Sequence, residues 1–276
     1  MLVGIEKRII TSLLLGLIVV GTIITGSSQL FTLLMLTFVA IAAWEWLGLS
    51  QLHPKNPVIT YLACLSALIC VYYILDALKQ PLLIAIAAVL IWSLAFAVIL
   101  AYQHGKAFSI TKTFKLVIGL VMLAIAWNSL TMLYKSNNGS ELVLMLFILI
   151  WTVDSSAYFI GTYFGKHRLA SRVSPAKSWE GFLGSLLASV LLAVTYSVYA
   201  SIDKISYQIT LIVIFLVTAA FSVIGDLFIS VMKRDAHMKD TGSILPGHGG
   251  ILDRLDSLIA AAPVYAGSFF LIGDRY

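Results

Sequence analysis

Apolar residues fall along this chain in runs of membrane length, separated by short polar breaks. A helix rises about 1.5 Å per residue, so about 20 apolar residues cross about 30 Å of hydrocarbon. Nine runs fit that span: 9–27, 29–49, 57–76, 81–102, 114–134, 142–164, 182–202, 207–231 and 256–273. They predict an all-α fold, a polytopic transmembrane helical bundle of about nine spans. The first run follows Lys7 and Arg8 but does not read as a signal peptide. It is long, lacks a small-x-small cleavage site, and is followed closely by a second span. The break around Gly26-Ser27-Ser28-Gln29 is the least defined of the eight.

Composition agrees with the pattern. Hydrophobic residues make up 60% of the 276 and charged residues 11%, against roughly 45–50% and about 25% in soluble domains. That excludes a soluble enzyme, because too few charges remain to cover a core of this size. Lysine and arginine counts set the orientation. With the N-terminus inside and nine alternating spans, fourteen of the eighteen basic residues fall in inside segments, which predicts N-in/C-out. The net charge of +5 therefore gathers on one membrane face. It serves topology and suits an anionic ligand or lipid headgroup; no nucleic-acid partner is expected. Cys64 and Cys70, six apart in the third run, do not share a helix face and read as buried apolar thiols.

Polarity is uneven along the chain. Residues 1–140 read as an N-terminal transmembrane scaffold. Residues 141–276 read as a C-terminal catalytic transmembrane region with cytoplasmic loops 165–181 and 232–255. Glu45, between Trp44 and Trp46, reads as a snorkelling acid at an interfacial aromatic anchor and stays outside the expected site.

The loop after the eighth run holds most of the chemistry. Pro246-Gly247-His248-Gly249-Gly250 cannot continue a helix and lets backbone N–H groups approach an anion. Asp226 lies inside the eighth run, where a carboxylate costs about 2.5–3.5 kcal/mol and is functional by default. Asp253 and Asp256 share a face at the start of the ninth. If the loop folds back, Asp226 and Asp253 can meet as oxygen ligands for Mg²⁺. Lys233, Arg234, Lys239, Arg254 and His248 surround that point, which suits phosphoryl or nucleotidyl transfer. Asp154 sits in the sixth run, followed by a Gly161-x-x-x-Gly165 packing pair and then by the other basic loop, 165–181. Ser174-Pro175 there reads as a turn or helix start, Lys177 as the principal base, and Glu180 as a first-turn acid suited to the helix dipole.

These residues carry a resemblance. Ser230-x-x-Lys233-Arg234-x4-Lys239-Asp240-x-Gly242-x3-Pro246-x-His248-Gly249-Gly250-x-x-Asp253-Arg254-x-Asp256 resembles the signature of the phosphatidate cytidylyltransferases, also called CDP-diacylglycerol synthases. Ser174-Pro175-Ala176-Lys177-Ser178-Trp179-Glu180-Gly181 looks like that family's second segment, with serine at 178 where threonine is common. The resemblance covers about residues 150–260. It implies transfer from CTP to phosphatidic acid, giving CDP-diacylglycerol and pyrophosphate, with Mg²⁺ on Asp226 and Asp253. It also implies a monovalent cation such as K⁺ and a homodimer. Lys177, Lys233, Arg234, His248 and Arg254 are the expected catalytic residues. Ser174, Lys239, Asp240, Gly249 and Gly250 are the expected cofactor-binding positions. The expected location is the bacterial inner membrane, among membrane lipid, with the site facing the cytoplasm. Nine spans with intramembrane acids would also suit a transporter or flippase for an anionic lipid, although no inverted repeat is visible.

Overall fold

A computed structural model describes residues 2–272 apart from His53, residues 106–110, Pro246 and His248, with side chains at Thr11 and from Leu13 onward. Among the described residues there are nine helices: α1 (Leu2–Thr25), α2 (Ser28–Leu49), α3 (Pro57–Leu78), α4 (Pro81–Gln103), α5 (Lys112–Lys135), α6 (Gly139–Phe164), α7 (Trp179–Tyr199), α8 (Ile205–Asp235) and α9 (Leu252–Ile272). Each coincides with one predicted apolar run. Helices α2 to α9 are long and apolar enough to cross a bilayer, and α1 contributes an apolar stretch over Leu13–Thr25. The chain is an integral membrane protein.

Local chemistry sets the helix starts. Ser27, Asn56 and Thr111 accept hydrogen bonds from the N–H groups of Leu30, Ile59 and Phe114, and so satisfy donors that the helix leaves orphaned. Pro57 and Pro81 open α3 and α4, where a missing N–H costs nothing.

Helix α9 is the core. Every residue from Ser257 to Gly267 is buried, with α8, α5 and α4 as its main neighbours. Small residues let the backbones approach. A Cβ on Gly225 of α8 would lie 2.4 Å from the Asp256 carbonyl oxygen, and one on Gly267 would lie 2.1 Å from the Ala85 Cβ.

Successive helices alternate in direction. At one end Gln51, after α2, donates to the Asp235 carbonyl of α8 at 2.7 Å, and Gln103 of α4 donates to Ser171 at 3.0 Å. At the other end the Tyr134 hydroxyl donates to Gly26 O at 2.8 Å, and Lys135 pairs with Asp76 at 3.5 Å. The first end holds both polar loops.

Two expectations need correction. Ser174-Pro175 does not start a helix. It opens strand β2 (Ser174–Ser178), which pairs antiparallel with β1 (Arg168–Ala170), so one small hairpin interrupts the all-α bundle. Cys64 is buried as expected, but Cys70 is exposed.

Candidate active site

The hairpin delivers Lys177. Its two ends are tied by Trp179 N donating to His167 O at 2.9 Å, while Glu180 accepts from His167 N at 3.2 Å and lies 2.6 Å from its Nδ1. Ser178 caps α7 by accepting from Gly181 N. The Gly161/Gly165 pair packs as its spacing suggested. A Cβ on Gly181 would lie 2.6 Å from Ala157 O and 3.2 Å from the Gly161 Cα, so α6 and α7 meet backbone to backbone. That close seating carries Lys177 over α8, where its Nζ lies 2.5 Å from Asp226 Oδ2. Ser230, one turn on, donates to Asp226 Oδ1 at 3.4 Å.

The signature loop builds the second pair. Lys233 Nζ lies 2.7 Å from Asp253 Oδ1. Asp253 Oδ2 accepts from Thr241 N at 2.9 Å, Thr241 Oγ1 at 3.0 Å and Gly250 N at 3.0 Å. One carboxylate thus closes the loop onto the start of α9. Gly249 has φ +81°, a left-handed conformation, and a Cβ there would lie 2.8 Å from Asp253 Oδ2. Only glycine meets both demands without strain.

Glu45 corrects the sequence reading. It does not snorkel. It is 4% exposed and points under the signature loop. Its Oε1 accepts from Ile251 N at 3.0 Å, and its Oε2 from Leu252 N at 2.8 Å and Thr241 Oγ1 at 3.0 Å. Glu45 and Thr241 are the two site residues that sequence reasoning missed. An acid inside an apolar run was the available signal.

Two more carboxylates join Asp226. Asp154 of α6 and Asp256 of α9 lie within electrostatic reach of Asp226, of each other and of Lys177, and Asp154 also feels Arg254. Lys233 acts on both Asp226 and Asp253, which links the two ion pairs. Asp154, Asp253, Arg254 and Asp256 line a cavity of about 490 Å³ together with apolar residues of α1, α2, α6 and α9.

The remaining expected residues fall around this centre. Arg234 Nε donates to Val173 O at 3.3 Å and ties α8 to the hairpin turn. Ser174 pairs in register with Ala170 at the far end of the hairpin from Lys177. Lys239 and Asp240 are exposed in the signature loop, while Gly250 is buried there. His248 lies outside the described residues. Lys115 and Asp235 form a further ion pair that joins α5 to the end of α8.

A membrane-embedded bundle whose lysines and aspartates gather at one end, beside an apolar cavity, defines an integral-membrane site suited to a phosphate-bearing amphiphile. Comparison with known proteins agrees. The chain matches the model of the cytidylyltransferase family over residues 6–272. It is 35% identical over 268 residues to a phosphatidate cytidylyltransferase of Pseudomonas aeruginosa, covering 97% of this chain and 98% of the relative. It is 31% identical to the phosphatidate cytidylyltransferases of Haemophilus influenzae (97% and 99% covered) and Bacillus subtilis (95% and 96%). The chain belongs to the cytidylyltransferase family.

Proposed function

We propose that the chain transfers the cytidylyl group of CTP to phosphatidic acid, giving CDP-diacylglycerol and pyrophosphate in phospholipid synthesis. The observation that carries this reading is the two-natured cavity. Val19, Met35, Phe38 and Phe147 offer apolar lining, and the same cavity is lined by Arg254, which suits a phosphate, and by Asp154, Asp253 and Asp256, which suit a cation beside it. A lipid with a phosphate headgroup needs both in one place.

In this reading a phosphate oxygen of phosphatidic acid attacks the α-phosphorus of CTP. A new P–O bond forms, the bond to the β-phosphate oxygen breaks, and pyrophosphate leaves with the electron pair. The attacking monoester is already ionised near neutral pH, so no general base is needed. Lys177, Lys233 and Arg254 neutralise the charge that gathers on phosphate oxygens, the largest demand of such a transfer. Asp226 and Asp253 would hold Mg²⁺, which lowers the same charge barrier when bound. The donor set fits. Each already faces a cation through one oxygen, an ammonium at 2.5 and 2.7 Å. Four carboxylates (Asp154, Asp226, Asp253, Asp256) share this centre with three side-chain cations (Lys177, Lys233, Arg254). The excess negative charge suits the divalent ion and a monovalent one such as K⁺. We place the site on the cytoplasmic face of a bacterial inner membrane, on the support of the basic loops, and read the active form as a homodimer, on the support of the family resemblance.

The test is product formation by purified protein in detergent with CTP and Mg²⁺, offered either phosphatidic acid or diacylglycerol. The proposal expects CDP-diacylglycerol, identified by mass spectrometry, from phosphatidic acid alone. No liponucleotide from either lipid, with lipid or nucleotide flux in liposomes, would replace it with the transporter reading.

A further inference from the structure

Glu45 stands in the N-terminal half, far in sequence from the signature that carries the family resemblance. A buried carboxylate is costly unless paired or fully hydrogen-bonded. Among the described residues Glu45 makes no salt bridge. Its charge is met instead by two backbone N–H groups at the start of α9 and by the Thr241 hydroxyl. Both N–H groups belong to the set that a helix N-terminus leaves orphaned, and the positive end of the helix dipole adds to the attraction. Helix α2 thus supplies the cap of α9 from a distance of about 200 residues, while Asp253 caps from within α9 through Gly250 N.

Two glycines of the signature give independent support. A Cβ on Gly242 would lie 2.4 Å from Glu45 Oε1, and one on Gly250 would lie 2.3 Å from Glu45 Oε2. Neither glycine has the positive φ that would demand it. Their lack of a side chain makes room for the Glu45 carboxylate. The hydroxyl of Thr241 lies 3.0 Å from both Glu45 Oε2 and Asp253 Oδ2, so it stands between the two acids and can donate its single proton to either.

We propose that Glu45 is a positioning residue for cytidylyl transfer: it sets the start of α9, and through Thr241 the orientation of the Asp253 carboxylate. It touches no reacting atom. Its effect travels through residues 250–253, which place Asp253, Arg254 and Asp256 at the cavity. This rests on the transfer reading above, in which those residues face the phosphates.

The experiment compares wild type, Glu45→Gln and Thr241→Val as purified protein in detergent. It measures kcat and KM for CTP per monodisperse molecule, and hydrogen exchange of peptides over 249–256 and, as control, 210–225. Glutamine keeps the size but turns an N–H donor toward a backbone N–H, so it mispositions the helix start. Misplacement of this kind lowers kcat by about tenfold or more. The proposal expects that fall with KM for CTP nearly unchanged, and faster exchange over 249–256 with the control unmoved. Thr241→Val, which keeps both backbone bonds to Glu45, shows a smaller fall of the same type. Three results would overturn it: kcat kept with only thermal stability lowered, exchange raised equally in both peptides, or exchange over 249–256 unchanged. If Glu45→Gln does not fold, Thr241→Val carries the kinetic test alone, and an unchanged kcat there rejects the bridge. A wild type that makes no CDP-diacylglycerol would sink the transfer reading instead, while the exchange comparison still decides the cap.

Discussion

The Lys177–Asp226 pair joins the hairpin to α8, and its removal separates packing from chemistry. Both side chains keep about a quarter of their surface accessible, 26% and 28%. A charge-assisted hydrogen bond contributes about 1.5–3 kcal/mol, and that access puts this one at the low end, about 1–2 kcal/mol. Lys177→Met also leaves the Asp226 carboxylate with only the Ser230 hydroxyl and the charge of Lys233, where insertion scales put a wholly uncompensated carboxylate at about 2.5–3.5 kcal/mol before access is allowed for. The single variant should therefore be about 2 kcal/mol less stable than wild type. Lys177→Met/Asp226→Asn removes both charges and should regain most of that. Activity should behave otherwise. Loss of a positioned charge at the phosphates costs about 10²–10³-fold in kcat, and the double variant lacks the carboxylate as well. Heating followed by fluorescence-detected size exclusion reads stability, and labelled CTP incorporated into lipid reads activity. Regained stability without activity is the expected pattern. A double variant that recovers both would reduce the pair to a packing contact, and Lys177→Met with activity within about threefold of wild type would remove Lys177 from the chemistry.

Gly249→Ala should lower kcat by about 10²-fold, because it must strain a left-handed backbone and push on Asp253 Oδ2 from 2.8 Å; near-normal activity would show that the loop yields at no cost. Lys115→Met leaves the Asp235 carboxylate with Gln51 Nε2 at 3.3 Å but without its ion-pair partner at the end of α8, so thermal stability should fall while kcat per folded molecule stays within about twofold. Gly181→Leu should abolish folding of the α6–α7 unit, since its Cβ alone would meet Ala157 O at 2.6 Å; a monodisperse, active variant would show that the two helices can separate.

How far the sequence carried the reading depended on the range of the contact involved. Helices were legible because apolar length and a local cap suffice to define each one, as Pro57 with Asn56 does for α3. The hairpin was not. Arg168–Ala170 and Ser174–Ser178 show no alternation, and their pairing is enforced by contacts such as Trp179 to His167 and Glu180 to His167. Asp226, Asp253, Lys177 and Lys233 were legible as chemistry from their place in the signature. Which lysine faces which aspartate was not, because the hairpin sets Lys177 on Asp226 and the folded signature loop sets Asp253 on Lys233. Glu45 was misread for the same reason. Its partners lie 196 to 207 residues away, and only the folded bundle shows that an acid between two tryptophans faces inward.

The most direct test of the account counts both products of one reaction. Purified protein receives CTP, phosphatidic acid and Mg²⁺, and pyrophosphate and CDP-diacylglycerol are measured in the same sample, beside Asp253→Asn. The account predicts equal amounts of the two, both requiring the lipid, and both lost together in the variant. Pyrophosphate without liponucleotide, or equal yields that survive Asp253→Asn, would contradict it.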